Sequence, residues 1–565
     1  PDQPVGMART LYFAECPERI EPLIDQYLGV LGNRLDREVR AARVAIAGRR
    51  EELYRSLLER ARASAQDNPA ILRALAGLQF SAGAIGDALN LLDEAHALAP
   101  EDEPWITRRR DALRALQVAG IQVESLTPRE RRALRMPDAA FESLLRRAPQ
   151  VTRRTNDRIV MVHATLSLGG CERQLFNTVR GLADLEVNPD IVLMPTRDTE
   201  PTIDWFRPEA LQPLGVRIDP CQGGSLDLKM AAAELGPQVG DLLALLPYTL
   251  RRQISVLASR FLSNPPAVVH AWSERPGIVA GIAAALAGVS RIVLSSRVAA
   301  TPGTPLDTYI RAVYRALADR PGVLLVNNSA AGARLCAKWL GVEPASIRVV
   351  RNGVEIDRLE AMRKPETTAA HRARLGLPGG AKVVGTLMRL SRQKRPALWL
   401  KAAAKVAQRC PEAHFVVLGE GPMREEMVSE ARRLGIAGRL HMLDTAIEVA
   451  PWYDLMDVVL LTSGLEGTSN TALEAQALGV PVVSSNVGAM AETMVPNISG
   501  FLASSEPTPD ELARFILRAI TDRPWRIQAQ AVGRNFIRER FSFERMIGDT
   551  IELYGDRERP IPKAV

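Results

Sequence analysis

Apolar positions recur along the chain in two rhythms, and the change between them falls near residue 158. Up to about residue 120 the rhythm is helical. The run Arg40 to Ala65 is rich in Ala, Leu, Glu and Arg, which favour helix. Between Asn68 and Pro100, Leu72, Leu75, Ala76, Ala88, Leu92 and Ala95 stand at helical spacing on two segments, with Gly83 at the turn and Pro100 at the close. From Arg158 onward the pattern is short apolar runs separated by helical stretches. Ile159–His163 reads as a strand buried on both faces, followed by a Gly-Gly turn and a helix over Glu172–Leu182. Further strands are predicted at Asp190–Met194, Ala267–His270, Arg291–Ser295 and Val323–Asn327. A second set follows at Val383–Met388, His414–Leu418, Leu440–Leu443, Val458–Leu461 and Val480–Ser484. Alternation of this kind predicts two parallel, doubly wound α/β sheets in series, joined near residue 365. Ligands of such folds bind beyond the carboxyl ends of the strands, here in a cleft between the sheets. Phe541–Tyr554 reads as a helix able to pack back on the first sheet.

Composition changes this picture little. The 565 residues suggest three or four domains, and 46% hydrophobic with 24% charged residues is the mix of an ordinary folded protein. An aromatic content of 5% argues against a nucleic-acid binder that works by stacking. The net charge of +7 is concentrated: between Arg129 and Arg158 nine arginines face four carboxylates. That stretch reads as a solvated linker, or as a patch for an anionic membrane surface or acceptor. No motif that reads nucleic acid accompanies it. The five cysteines (16, 171, 221, 336, 410) form no CxxC pair, which fits reduced thiols and no structural zinc. The first residues lack the charged start and apolar core of a signal peptide, and the apolar stretch from Gly277 to Val289 is too short to span a bilayer. The expectation is a cytoplasmic protein, touching the inner face of the membrane peripherally if at all. The expected division is a helical domain over 1–120, a basic linker over 121–157, α/β domains over 158–365 and 366–540, and a C-terminal helix in 541–565.

Three segments carry chemistry. The first runs from Leu461 to Val483 and contains Glu466-Gly467-Thr468-Ser469-Asn470 and Glu474. A strand ends, a glycine-containing loop follows, Thr468 or Ser469 caps a short helix, and Gly479 and Pro481 stop it. The exposed N–H groups of that helix start suit a phosphate, and the two carboxylates suit hydroxyls. The second is Gly385-Thr-Leu-Met-Arg389-Leu-Ser-Arg-Gln-Lys394, where a guanidinium and an ammonium on one loop can bracket a diphosphate. Such cations also stabilise charge on a departing diphosphate without a metal. The third is Gly169-Gly170-Cys171-Glu-Arg-Gln, adjacent glycines ahead of a helix start.

The first segment resembles the Glu-x7-Glu signature of glycosyltransferase family 4, a retaining family of GT-B fold, and the match extends through Gly467, Asn470 and the Ala-Leu-Gly-Val-Pro tail. The second resembles that family's Gly-x-x-x-Arg-Leu-x-x-x-Lys loop, with Arg395 in place of the usual glycine. The third resembles its Gly-Gly-Ala-Glu-Arg-Gln loop, with Cys171 for Ala. The resemblance covers residues 158 to 555 and implies a GT-B architecture: two Rossmann-like domains facing a cleft, behind an all-α, repeat-like domain. It places Glu466 by the donor sugar, Glu474 on the ribose, and Arg389 and Lys394 on the diphosphate. It assigns Gly169, Gly170, Gly385, Gly467, Thr468, Ser469 and Asn470 to the donor, and Gly419, Glu420 and Leu443 to loops around the base. It puts His270 near the donor sugar and Arg297 on the acceptor side, and gives the stretch from Asn352 to Asp357 an inter-domain, hinge-like role. No essential metal is implied. Separately, Asn68–Pro100 resembles one tetratricopeptide repeat, which needs neighbouring helices to stack on and would offer a surface to a protein partner or to a second copy.

The expected function is transfer of a sugar, with retention, from a UDP or GDP sugar to a carbohydrate, lipid-linked or protein acceptor in cell-surface polysaccharide synthesis. A sugar-nucleotide epimerase of similar architecture and a helical scaffold carrying a degenerate transferase are the rival readings.

Overall fold

The computed structural model describes residues 20–32, 36–47, 50–65, 68–82, 84–99, 144–146, 157–167, 169–194, 211–221, 248–297, 307–446 and 448–555, with single positions at 4, 110, 148, 239, 243 and 246. They fall into two compact units. One comprises Pro1–Gln150, Gly223–Asn264 and Ile282–Gly288; the other comprises Val151–Gln222, Pro265–Gly281 and Val289–Val565.

In the first unit, α1 (Ile20–Leu31), α2 (Arg37–Ala47), α3 (Glu51–Ala65), α4 (Pro69–Ala82) and α5 (Ile85–Leu98) pack in sequence, α4 most closely on α5. The helical run expected from Arg40 to Ala65 is two helices, and Gly48, a poor helix former, falls between them in the sequence. Leu72, Leu75, Ala76, Ala88, Leu92 and Ala95 are all buried. Gly83, Pro100 and nearly all of the basic stretch over 121–157 lie outside the described residues.

The second unit holds both sheets. In chain order the elements are β1 (Ile159–His163), α6 (Gly170–Ala183), β2 (Asp190–Leu193), β3 (Ile218–Asp219), α7 (Tyr248–Ser263, assigned to the first unit), β4 (Val268–Trp272), α8 (Glu274–Leu286), β5 (Arg291–Ser296), α9 (Asp307–Ala318), β6 (Val323–Asn327), α10 (Ala330–Leu340) and β7 (Ile347–Val349). Then come α11 (Ile356–Ala361), α12 (Pro365–Arg374), β8 (Lys382–Leu387), α13 (Pro396–Arg409), β9 (Ala413–Leu418), α14 (Arg424–Arg433), β10 (Leu440–Leu443), α15 (Ala450–Leu455), β11 (Val458–Leu461), α16 (Asn470–Ala477), β12 (Val482–Ser485), β13 (Gly500–Ala503), α17 (Pro509–Thr521), α18 (Arg523–Arg540) and α19 (Phe543–Tyr554).

The first sheet runs β3-β2-β1-β4-β5-β6-β7 and the second β10-β9-β8-β11-β12-β13, with every pair parallel. Strands such as β1 and β11 are buried at every position, as a parallel sheet covered on both faces requires. β12 starts at Val482, two residues later than expected, because Pro481 has no N–H to give a ladder. α19 packs on α6: Gly181 leaves room for Ile547 and Phe543, and Met546, Leu553 and Tyr554 join the core of the first sheet.

Candidate active site

The carboxyl ends of β8 and β11, neighbours in the second sheet, carry the loops that hold Lys394 and Glu466. Lys394 Nζ donates to both Glu466 oxygens, at 2.8 and 2.7 Å. The loops are laced together by Gly464 N to Gln393 O (2.8 Å) and Gln393 Nε2 to Leu465 O (2.9 Å). Arg389, just past β8, is exposed and makes no side-chain hydrogen bond or ion pair with the described residues. Among the described residues, therefore, one cation of the expected diphosphate site is paired with the acidic residue beside it, and the other is unpaired.

Arg395 is the residue the family resemblance would have as glycine, and its φ of 50° shows why glycine suits the position. Its guanidinium donates to Thr462 O (2.6 Å), Ser463 O (2.8 Å) and Ser485 Oγ (3.0 Å) and pairs with Glu506 at 2.6 Å. Thr462 Oγ1 in turn donates to Lys394 O at 2.8 Å. Arg395 thus braces the root of the loop that presents Glu466. We expect Arg395→Gly to keep the fold, because glycine accepts this backbone, yet to lower kcat/KM by about tenfold through a less fixed Glu466. Steady-state kinetics with circular dichroism as the fold control checks this.

Ser469 caps α16 by accepting from Ala472 N. Asn470, its first residue, donates to Gly170 O at 3.1 Å, so the starts of α16 and α6 meet. Two helix N-termini, each with unpaired N–H groups and partial positive charge, converge where a diphosphate would lie. A side chain on Gly170 would press on the Asn470 amide. Gly467 touches the first sheet, where a Cβ would run into the carbonyl oxygen of Arg297. Thr468 Oγ1 donates to Asn328 O (2.8 Å), and Asn470 Oδ1 accepts from Gln174 Nε2 (3.1 Å) and Asn352 Nδ2 (2.8 Å). Asn352, the expected hinge residue, is buried at this seam and also donates to Thr468 O at 3.2 Å.

Glu474 lies in the second turn of α16, buried. One oxygen pairs with Arg173 of α6 and the other accepts from Tyr453 Oη at 3.0 Å. The carboxylate raises the Arg173 pKa, and burial, then Glu474, pushes the Tyr453 phenol well above its ordinary value. Glu474 therefore joins the two halves of the unit, and each of its oxygens already has a partner. Gly419, at φ 147°, packs on Met388 O and accepts no side chain; its N–H donates to Leu443 O at 3.0 Å, while Glu420 is exposed and its carbonyl receives Leu390 N at 2.8 Å. These loops stand at the carboxyl ends of β9 and β10, beside that of β8.

Two expected residues stand apart from this group. Gly385 sits inside β8, paired with Val459 and Val416, and Met456 fills the space its side chain would take, so it serves packing. His270 is buried, with Nδ1 on Tyr554 Oη at 2.9 Å and Nε2 on Ser295 Oγ at 2.7 Å. Both ring nitrogens are occupied inside the first sheet, so the structure does not turn His270 to the Lys394–Glu466 pair. Burial, then the charge of Arg297, lowers its pKa well below 6.5. A folded histidine held neutral gives stability present above the unfolded pKa and lost as pH falls below it. From this group the unfolding free energy should fall with a slope that steepens below pH 6.5 and approaches about 1.4 kcal/mol per pH unit roughly one unit lower. His270→Gln should flatten that slope in urea titrations between pH 6.5 and 5.

A second buried histidine escaped the sequence reading. His163, at the end of β1, bonds Trp272 O through Nδ1 at 2.8 Å and faces Glu172 at 3.5 Å. Burial would lower its pKa, but Cys171 and then Glu172 outweigh burial and raise it to about 10. Arg173, Gln174, Tyr453 and Arg395 were likewise missed as site residues; the Glu-Arg-Gln of the glycine loop was the available signal for the first two. Among the described residues no group of three His, Cys, Asp or Glu side chains is arranged to hold a metal ion, and no helix is long and apolar enough to cross a membrane.

Two family models match consecutive stretches of the chain. Residues 367–536 match the model for glycosyl transferases group 1, and residues 168–358 match that for glycosyltransferase family 4. The chain belongs to glycosyltransferase family 4, with the GT-B fold, and is a transferase enzyme. It is similar to the Vi polysaccharide biosynthesis protein VipC/TviE of Salmonella typhi, at 27% identity over 71% of this chain and 72% of that one. It is also similar to a D-inositol 3-phosphate glycosyltransferase of Corynebacterium urealyticum, at 32% identity over 42% of this chain and 57% of that one. Among solved structures, Anabaena Alr3699/HepE in complex with UDP and glucose aligns with a TM-score of 0.58 at 19% identity, over 71% of this chain and all of that one. A glycosyltransferase from Rickettsia africae aligns at 0.57 with 17% identity, over 71% and 98%. These structural likenesses establish the fold.

Proposed function

We propose that the enzyme transfers a sugar from a nucleoside-diphosphate sugar, of UDP or GDP type, to a carbohydrate or lipid-linked acceptor during assembly of a cell-surface polysaccharide. The observation that carries this reading is the Lys394–Glu466 pair, set beside the N-terminus of α16, with Arg389 on the same loop as Lys394 and unpaired among the described residues. The diphosphate takes Lys394, Arg389 and the helix N–H groups; Glu466, released from Lys394, accepts from the donor sugar's hydroxyls. As the glycosidic bond breaks, negative charge grows on the diphosphate, and the two cations and helix dipoles are already aimed at it. That electrostatic help supplies the rate without an essential metal. The names of the Salmonella relative and of the UDP-bound Anabaena structure support a polysaccharide product and a uridine donor.

Transfer is with retention, the departing diphosphate assisting the acceptor's proton. The chain is organised as a helical domain over 1–120 that engages a protein partner or a second copy, a basic linker over 121–157 that meets the cytoplasmic face of the membrane, two Rossmann-like domains over 158–365 and 366–540, and a closing helix within 541–565.

A panel of UDP and GDP sugars, each with and without mixed oligosaccharide and lipid-linked acceptors, tests the reading. One donor should be consumed only with acceptor, in the presence of EDTA, giving a product of unchanged anomeric configuration by NMR. Epimer formation without acceptor points to the epimerase instead. Absence of turnover and of nucleotide binding across the panel points to the scaffold.

A further inference from the structure

At the carboxyl ends of three adjacent strands of the first sheet, β4, β5 and β6, stand Trp272, Arg297 and Asn328, the last two beside Gly467 of the Glu466 loop. Each end carries a buried polar atom with no hydrogen-bond partner: Trp272 Nε1, Arg297 Nε and Asn328 Oδ1. Buried polar atoms are nearly always satisfied, so three orphans on consecutive strand ends need an explanation. The most demanding is the cation. Arg297 stacks on the Trp272 ring, Cζ 3.8 Å from the ring centre, and donates through Nη1 to Asn352 Oδ1 at 3.2 Å. No carboxylate among the described residues forms an ion pair with it. Burial lowers its pKa to about 10, eased by Cys171, Glu274 and Tyr554, so it is charged at neutral pH yet poorly compensated. A desolvated charge with no carboxylate in contact is costly, and a ligand that brings a counter-charge offsets that cost. The place fits a substrate: the Arg297 carbonyl abuts Gly467, next to Glu466, and Asn328 borders the same glycine.

We propose that these strand ends form a subsite for an anionic group, a carboxylate or a phosphate, carried by the acceptor sugar. The proposal rests on the transferase reading and names its substrate class. One oxygen of the anion takes Arg297 Nε–H and the other Trp272 Nε1–H. The Asn328 amide, whose ends exchange by a flip, serves a hydroxyl as donor or acceptor. The Trp272 ring, stacked on the guanidinium, fixes the plane in which Arg297 Nε–H is presented. Neutral acceptors would leave the cation desolvated and unpaired, so the subsite also excludes them.

The test uses the full chain with its preferred nucleoside diphosphate bound and titrates four probes by saturation-transfer NMR: methyl glucoside, methyl glucuronoside, glucose 6-phosphate and inorganic phosphate. A charged sugar should bind at least tenfold tighter than methyl glucoside; which of the two wins tells a uronate from a sugar phosphate. Arg297→Gln should erase that preference, Arg297→Lys should restore part of it, and Trp272→Phe, which keeps the ring and removes the N–H, should weaken it. Equal affinity for neutral and charged sugars, inorganic phosphate as good as either charged sugar, or a preference that survives in Arg297→Gln overturns the proposal. Where Arg297→Gln does not fold, Arg297→Lys and Trp272→Phe decide. Failure of the wild-type protein to bind any nucleoside diphosphate would instead sink the transferase reading, whatever the sugars do.

Discussion

Replacing Glu466 by glutamine is expected to cut turnover by about a hundredfold or more while leaving affinity for the nucleoside diphosphate unchanged or improved. The two effects separate because of what Glu466 does before substrate arrives. Its oxygens hold Lys394 at 2.8 and 2.7 Å, so the diphosphate must win that ammonium from a carboxylate. Glutamine keeps the shape and releases the cation, so the nucleotide binds against less competition. The donor sugar, however, loses the carboxylate that orients it, and positioning of that kind is worth factors of this size. Initial rates and titration of the product nucleotide check both halves. Parallel losses in turnover and nucleotide affinity would place Glu466 elsewhere in the mechanism.

Glu474→Gln should be the most destabilising single change in the site. The carboxylate is buried between Arg173 and Tyr453, and its loss leaves a guanidinium without its counter-ion at the seam between the sheets. Removing one member of a fully buried pair costs about 3 kcal/mol or more, and with the Arg173 side chain 27% exposed the loss here should be about 2 kcal/mol. Replacing Arg173 by methionine in the same chain should restore much of it, since the penalty belongs to the stranded charge. Urea unfolding of the four members of the cycle measures the coupling. Additive losses would mean the pair contributes nothing as a pair.

How much of this could be read from the residues differs from place to place. Central strands such as β1 and β11 were legible because a parallel strand buried on both faces shows as an unbroken apolar run. The edge strands β3 and β7 and the strand β13 were not, being two to four residues long with no such run. The pairing of Lys394 with Glu466 followed from two loops that emerge from neighbouring strands. Seventy-two positions separate them, and strand order alone brings them together. The seam was opaque. Arg173 meets Glu474 across 301 positions and Gln174 meets Asn470 across 296, contacts fixed only by how one sheet docks on the other. Arg395 was legible as a departure from the family pattern, but its reach to Thr462, Ser463 and Ser485 was not. His270 shows the opposite case: a strand-end histidine suggested chemistry, while its partners Tyr554, brought back by the last helix, and Ser295 could not be read from the sequence.

Titration calorimetry of UDP and GDP into the wild-type protein and into Arg389→Ala and Lys394→Ala tests the arrangement at its centre. The account predicts that one of the two nucleotides binds the wild type and loses about tenfold to a hundredfold in affinity in each variant, the range for deleting a charged hydrogen-bond donor. Undiminished affinity in both variants would contradict it.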